Sequence, residues 1–352
     1  MVKVVTIVNL IRQAILTGNN QHRKGVTDLA QDATPDATMW SGFLHSSILG
    51  TFMRQPHVAP EREALRNAGV NAAFIGFPWD SMCISRTGTN LGPKALREAG
   101  DQFLLYNANT CMDLSEHFTF ADVGDVPVVM GNAAITMARG EAMIAEVLAS
   151  GAIPVTLGGD HSITIASVRA FAKAVPACGL ILMDTHFDTA IDVGGETLSH
   201  CCPITRAVDA GFDPKNIVII GTSGWMNPRS ELAYCQEQGI TLLPLEKVWE
   251  MGPDAVAEKA VSVASNGTNG VYLTLDIDVL DSSFAPGTGV PTTCGMTPRE
   301  MLGIIKGMGA ANIRAFDLVE VSPSWDSDGI TSRLGVRIIL DTLATIAKAK
   351  KK

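Results

Sequence analysis

Apolar runs too uniform for half-exposed strands alternate with helix-like segments along most of this chain. The runs fall at 72–77, 153–157, 180–183, 217–220, 241–245, 271–275 and 313–319. Several are apolar at nearly every position, as strands covered on both faces are. Between them lie helical patterns at 93–99, 133–149, 162–175, 229–238, 254–265, 298–308 and 332–349. This alternation predicts an α/β fold with a parallel sheet between two helical layers. One start signal is explicit: Thr297 offers an N-cap, Pro298 stands at N1 and Glu300 supplies a carboxylate at N3.

At 352 residues the chain has room for two domains or one large one. No low-complexity linker divides residues 70–349, so 66–352 reads as one domain. Residues 1–65 read as an N-terminal extension. Val4, Val8, Ile11 and Ile15 recur there at helical spacing, and a polar stretch follows. The extension is expected to pack on the domain or on a neighbouring subunit. The C-terminal AKAKKK reads as a solvated helix end.

With 46% apolar and 18% charged residues, the composition excludes a disordered chain. The formal charge of -9 argues against nucleic acid and anionic membrane as partners. No apolar run approaches the roughly 18 residues of a membrane span. Arg12 interrupts the partly apolar first sixteen residues, so they do not read as a signal peptide. The seven cysteines form no CxxC pair, and Cys201–Cys202 reads as two packed thiols. A cytoplasmic, reducing setting is expected.

Open α/β sheets gather functional groups beyond the carboxyl ends of their strands. One run here ends in Gly158-Gly159-Asp160-His161-Ser162 and a second in Asp184-Thr185-His186-Phe187-Asp188. A third ends in Asp276-Ile277-Asp278-Val279-Leu280-Asp281, and a fourth in Glu320. Alternate spacing is expected to put Asp184, His186 and Asp188 on one side of an extended segment, and Asp276 with Asp278 likewise. Carboxylates so crowded would repel one another and raise their pKa values. Bound cations relieve that. Two imidazoles and four carboxylates suit two divalent ions, with Mn(II) or Ni(II) fitting the donors. Singly, each motif has a plain explanation as turn chemistry or a helix cap; together and in order they point to a metal site. His22, His45, His57 and His117 lie outside the motifs.

On GGDHS, DTHFD, LDIDVLDSSFAPGTG and EVSP, residues 70–345 resemble the ureohydrolase family of arginases, agmatinases and guanidinobutyrases. The resemblance implies a three-layer α/β/α fold around an eight-stranded, mostly parallel sheet. It implies one ion held by His161, Asp184, Asp188 and Asp276. A second would be held by Asp184, His186, Asp276 and Asp278. Asp188 would also orient the nucleophile, His200 would assist proton transfer, and Glu320 would receive the guanidinium group. A guanidinium carbon is a poor electrophile, and nucleophile generation by two metal ions meets that difficulty. The implied reaction is hydrolysis of a guanidino C–N bond, giving urea and an amine or ammonia.

The chain departs from the family at Thr185, at Asp281-Ser282 where Asp-Pro is usual, and at His200-Cys201-Cys202-Pro203 where HGTP is usual. Gly221-Thr222-Ser223-Gly224-Trp225 lacks the usual loop arginine. No departure removes a ligand. Together they resemble the nickel-dependent branch acting on guanidine, which includes hydrolases of alkylated biguanides such as metformin. Trp225 is expected either to line a smaller, more apolar substrate pocket or simply to pack. Agmatinase or guanidinobutyrase activity is the alternative. Two further readings are a weakly catalytic subunit partnering an active paralogue and a deacetylase-like amide hydrolase. The family likeness implies a homo-oligomer, trimer or hexamer, or a mixed oligomer.

Overall fold

The computed structural model describes residues 50–349. The helical spacing at 4–15, His22, His45 and the last three lysines lie outside the described residues. Residues 50–65, placed by sequence in the extension, pack into the domain. Phe52 and Leu65 are fully buried, and the Phe52 and Phe74 rings lie 4.5 Å apart. The Phe52 N–H donates to Asp122 Oδ2 at 2.8 Å, and Arg97 grips both oxygens of that buried carboxylate. A buried charge paired and hydrogen-bonded on all sides is tolerated where an unpaired one is not.

Eight strands build the main sheet: β1 (Ala72–Gly76), β4 (Phe120–Asp125), β5 (Ile153–Leu157), β6 (Cys178–Met183), β7 (Ile217–Ile220), β8 (Thr241–Leu243), β9 (Gly270–Asp276) and β10 (Ile313–Val319). Their order is β4-β1-β5-β10-β9-β6-β7-β8. Every neighbouring pair is parallel, so the sheet is parallel throughout rather than mostly so. The small pair β2 (Tyr106–Asn107) and β3 (Met112–Asp113) forms a separate antiparallel hairpin.

Ten helices accompany the strands among the described residues: α1 (Arg62–Asn67), α2 (Gly92–Gly100), α3 (Ala133–Ser150), α4 (Ile163–Ala174), α5 (Pro203–Ala210), α6 (Arg229–Gln238), α7 (Leu245–Met251), α8 (Pro253–Ala264), α9 (Pro298–Gly307) and α10 (Ile330–Ala349). One face of the sheet, with Phe74, Val155, Leu273 and Phe316, packs against Leu96, Val256, Ile304 and Val336 of α2, α8, α9 and α10. On the other face, Ala73 and Ile75 meet Met137 of α3 and Ala166 of α4. Further along that face, Leu180, Leu182 and Tyr272 meet Phe171 and Ile204. Helices on both faces complete the three layers expected. The Thr297 capping box forms as its sequence predicts, with the Glu300 N–H reaching Thr297 Oγ1 at 3.3 Å and the Thr297 N–H reaching Glu300 Oε2 at 2.8 Å.

The strand order sets the site. The chain moves from β5 to β6 across the places that β9 and β10 later fill. Connections diverge there, and a crevice opens at the carboxyl ends of the four central strands. Those are the strands that carry the four motifs.

Candidate metal centre

The Gly158-Gly159 pair delivers His161 by close packing. A Cβ on Gly159 would lie 1.9 Å from the Trp79 carbonyl oxygen, and one on Gly158 would lie 2.7 Å from Val319 Cγ1. No larger residue fits either place without moving the backbone. Asp160 then anchors the loop after β1: its Oδ2 accepts from the Met82 N–H at 3.1 Å, and its Oδ1 accepts from the Ser162 N–H at 3.0 Å. Burial and Glu320 push its carboxyl up to about 7.

The paired motifs reach the site through tight turns, not the extended segments expected. Asp184 Oδ1 accepts from the His186 N–H at 2.7 Å, and Asp276 Oδ1 accepts from the Asp278 N–H at 2.8 Å. Residues 277–279 form a 3-10 turn, and Asp188 takes a left-handed backbone with φ of 51°. Short carboxylate side chains favour such local closure over continued strand.

The six expected ligands converge. His161 Nδ1 lies 3.2 Å from Asp184 Oδ2, 2.9 Å from Asp188 Oδ2 and 3.0 Å from Asp276 Oδ2. His186 Nδ1 lies 3.3 Å from Asp184 Oδ1 and 3.4 Å from Asp278 Oδ2. Two donor sets result, His161 with Asp184 and Asp188, and His186 with Asp184 and Asp278. Asp184 belongs to both, facing one set with each oxygen. His161 Nδ1, Asp184 Oδ2 and Asp278 Oδ1 are buried without a hydrogen bond. One ring nitrogen cannot satisfy three carboxylates, whereas a cation among them satisfies all. The donors therefore fit the binuclear metal group that the fold implies.

Electrostatics say the same. Burial and neighbouring carboxylates hold the Asp188 and Asp276 carboxyls above the usual range. Asp278 is pushed up to about 6 by burial and Asp184, against the pull of His186. Burial also acts on Asp184, but His161 and His186 overcome it and hold that carboxyl low. Desolvation works against protonating His161 and His186, yet the facing carboxylates raise both well above the ordinary imidazole range.

These shifts predict how metal and pH combine. A raised carboxyl binds its proton more tightly in the folded state, so stability falls as pH rises through the folded value. Raised imidazoles likewise lose their contribution as pH rises, and Asp184 alone of the six runs the other way. Near neutrality the raised carboxyls weigh against the metal-free protein, whereas the two imidazoles still hold their protons and contribute there, and cation binding requires deprotonated ligands. The gain in Tm on adding Mn(II) should be larger at about pH 7.5 than at about pH 5.5. Differential scanning fluorimetry reads this, and an equal gain at both would contradict it.

Polar residues not singled out from sequence, three inside otherwise apolar strands and Thr164 on α4, support His161 from behind. Its Nε2 lies 2.9 Å from Thr274 Oγ1. Thr164 Oγ1 and Tyr272 OH both donate to Asp317 Oδ2, at 2.8 and 2.6 Å. Such contacts fix the ring orientation of a ligating histidine. The interrupted patterns of LTLD and AFDLV are the signals that could have revealed them.

Glu320, also left-handed at φ of 63°, is buried beside the donor sets. Its Oε1 accepts from the His161 N–H and from His200 Nδ1, each at 2.9 Å, while Oε2 has no partner. The Ile84 N–H points at His200 Nε2 at 3.2 Å. That contact favours the neutral ring, while Glu320 and Cys201 favour the charged one against burial. A cavity of about 620 Å³ opens over the centre. It exposes His161, His186, Asp188, His200, Asp276, Asp278 and Glu320, with Ile84, Ile191, Met226, Tyr234 and Val290 among its walls.

Trp225 is not there. It is fully exposed, and the cavity takes Met226 and Asn227 instead. Asn227 Nδ2 donates to the Thr185 and Ser223 carbonyls, both at 2.8 Å, and the left-handed Gly224 turns the loop tip outward. The cysteine pair also divides: Cys202 is fully buried, whereas half-buried Cys201 lines the cavity. His57 bonds the Asp122 carbonyl at 2.9 Å, His117 closes a short turn, and neither lines the cavity.

The model of the arginase family matches residues 70–344. The chain belongs to the arginase family. An agmatinase of Gallus gallus is 36% identical over 80% of this chain and 83% of its own length. A guanidino acid hydrolase of Homo sapiens is also 36% identical, over 80% of this chain and 79% of its own length. A formiminoglutamase variant of Trypanosoma cruzi, solved with two Mn2+, superposes with a TM-score of 0.74 at 25% identity, covering 81% of this chain and 95% of that one. Arginase-family ureohydrolases cleave amidino C–N bonds, and this chain is a hydrolase of that class. No helix among the described residues is long and apolar enough to cross a membrane.

Proposed function

We propose that the chain hydrolyses guanidine or an alkylated guanidine or biguanide, such as metformin, at a centre holding two Ni(II) or Mn(II) ions. The observation that carries the substrate class is the cavity lining. Among the described residues it contains no lysine or arginine, but it does contain Asp192, Glu231 and Glu320 beyond the six ligands. A guanidino acid would bring its carboxylate to a wall of like charge with no cation to receive it. A cationic head with a small or apolar tail meets the free Oε2 of Glu320 and the walls of Ile84, Ile191 and Val290.

When bound, two divalent ions supply a water-derived nucleophile at neutral pH. The residues around them do the rest. Glu320, held by His161 N–H and His200, presents Oε2 to the planar cation and aligns its carbon. Asp188 aligns the attacking water. His200, once the Ile84 contact loosens, can carry a proton to the departing nitrogen. Water adds oxygen at carbon, and the C–N bond breaks to release an amine or ammonia. Guanidine leaves urea, and a biguanide losing its alkylated amine leaves the guanylurea.

A second reading is supported by the agmatinase relative and by Glu231, whose carboxyl burial and Asp188 push up to about 7. An ammonium tail would stabilise its ionised form. Butylguanidine and guanidinobutyrate separate charge from tail length. The neutral tail should be favoured by more than about tenfold in kcat/KM, because like charges brought together in a desolvated site oppose binding. Preference for guanidinobutyrate would refute the substrate class.

All seven cysteines are free, which supports a reducing, cytoplasmic location. Retention of every ligand and of Glu320 favours an active subunit over a non-catalytic partner. A homo-oligomer remains part of this reading.

A further inference from the structure

Beside the binuclear centre lies a third donor set, which joins His200 and Glu320 to Cys83, a residue the hydrolytic reading does not use. Cys83, His200 and Glu320 each offer one ligand atom, and the three atoms lie within 4.8 Å of one another. Cys83 sits in the loop after β1, which is tethered on either side of it at Met82 and Arg86. Asp160 holds the Met82 N–H, the Ser85 N–H points at Cys83 Sγ at 3.5 Å, and Arg86 donates to the Thr288 and Gly289 carbonyls at 3.1 Å each. Arg86 also stacks 4.5 Å from the Trp325 ring centre. Gly289 puts no side chain into this space: a Cβ there would lie 3.0 Å from the Arg86 carbonyl oxygen, 3.5 Å from Glu320 Oε2 and 3.7 Å from Cys83 Sγ. Cys83 Sγ and Glu320 Oε2 thus border one gap, and Glu320, 3% exposed, has no partner for that oxygen.

We propose that Cys83, His200 and Glu320 form an inhibitory site for a thiophilic divalent cation, zinc or cadmium, distinct from the six ligands but overlapping the guanidinium seat. The chemistry differs from that of the six ligands. One sulfur, one imidazole nitrogen and one carboxylate oxygen match zinc better than manganese. Burial and Glu320 push the Cys83 thiol up to about 11, so without such a cation it stays protonated and unreactive. Binding replaces the S–H bond with an S–metal bond and releases that proton to solvent. Coordination at His200 Nδ1 moves the ring proton to Nε2, which breaks the contact with the Ile84 N–H. Ile84 is an exposed loop residue, so the loop can yield there. The cation takes Glu320 Oε2, the atom the substrate needs, so the two exclude each other.

The full chain is loaded with Mn(II) and titrated with Cd(II) or Zn(II), for wild type, Cys83→Ser and Cys83→Ala. Ultraviolet absorption reads the thiolate-to-cadmium band, and steady-state kinetics read the inhibition. Wild type should gain the band, and zinc should raise KM without lowering kcat. Both serine and alanine variants should lose that increment and bind the inhibitory ion at least about tenfold more weakly, as expected for a lost metal contact. The inference is overturned if either folded variant keeps the wild-type band. It is equally overturned if zinc lowers kcat and excess Mn(II) reverses the effect, which would mean exchange at the binuclear centre. The cadmium band needs no turnover, so it tests this site even if the proposed substrates are not hydrolysed.

Discussion

Asp276→Ala should abolish hydrolysis while leaving the fold in place. Asp276 ends β9 at the middle of the sheet, with Oδ2 3.0 Å from His161 Nδ1 and Oδ1 bonding the Asp278 N–H. Alanine removes a donor and releases the turn that sets Asp278. Changes one shell further out already cost about 10–100-fold in metal affinity or activity, so the loss should exceed about a hundredfold. Metal analysis after dialysis should show depleted ions, and far-ultraviolet circular dichroism should match wild type. Full activity with two retained ions would overturn the ligand assignment.

Glu320→Gln comes next in size. The carboxylate has one free oxygen and one oxygen fixed by two donors. Glutamine keeps the shape but loses the charge, and its amide hydrogens cannot accept from a guanidinium. Losing a charge-assisted bond of about 3 kcal/mol lowers kcat/KM by roughly a hundredfold. Bound metal should stay at the wild-type level, which separates this variant from Asp276→Ala. An unchanged kcat/KM would place the guanidinium elsewhere.

The inner strands were legible because burial on both faces leaves uninterrupted apolar runs, as in IPVTL and IVII. β4 was not. Asp122 interrupts its pattern, and Arg97, brought from α2, with the Phe52 and Gly124 N–H groups makes that carboxylate compatible with a strand interior. The six ligands were legible as residue types at strand ends, but their route was not. Period-two spacing cannot distinguish a strand from the two aspartate-closed turns that place His186 and Asp278. Trp225 shows the same limit in a loop: Asn227 and Gly224 decide which side chain faces inward. Cys83 reaches Glu320 only through the folding of distant loops, so nothing local in MCIS marks it.

The most direct test is amine and urea release by the full chain reconstituted separately with Ni(II) and with Mn(II). Guanidine, butylguanidine, dimethylbiguanide, agmatine and guanidinobutyrate form the substrate set. The account predicts metal-dependent C–N hydrolysis with at least one of the first three, lost on chelation and restored by adding metal, with guanidinobutyrate the poorer substrate. No release from any of the five with either metal bound, or hydrolysis that survives complete metal removal, would contradict it.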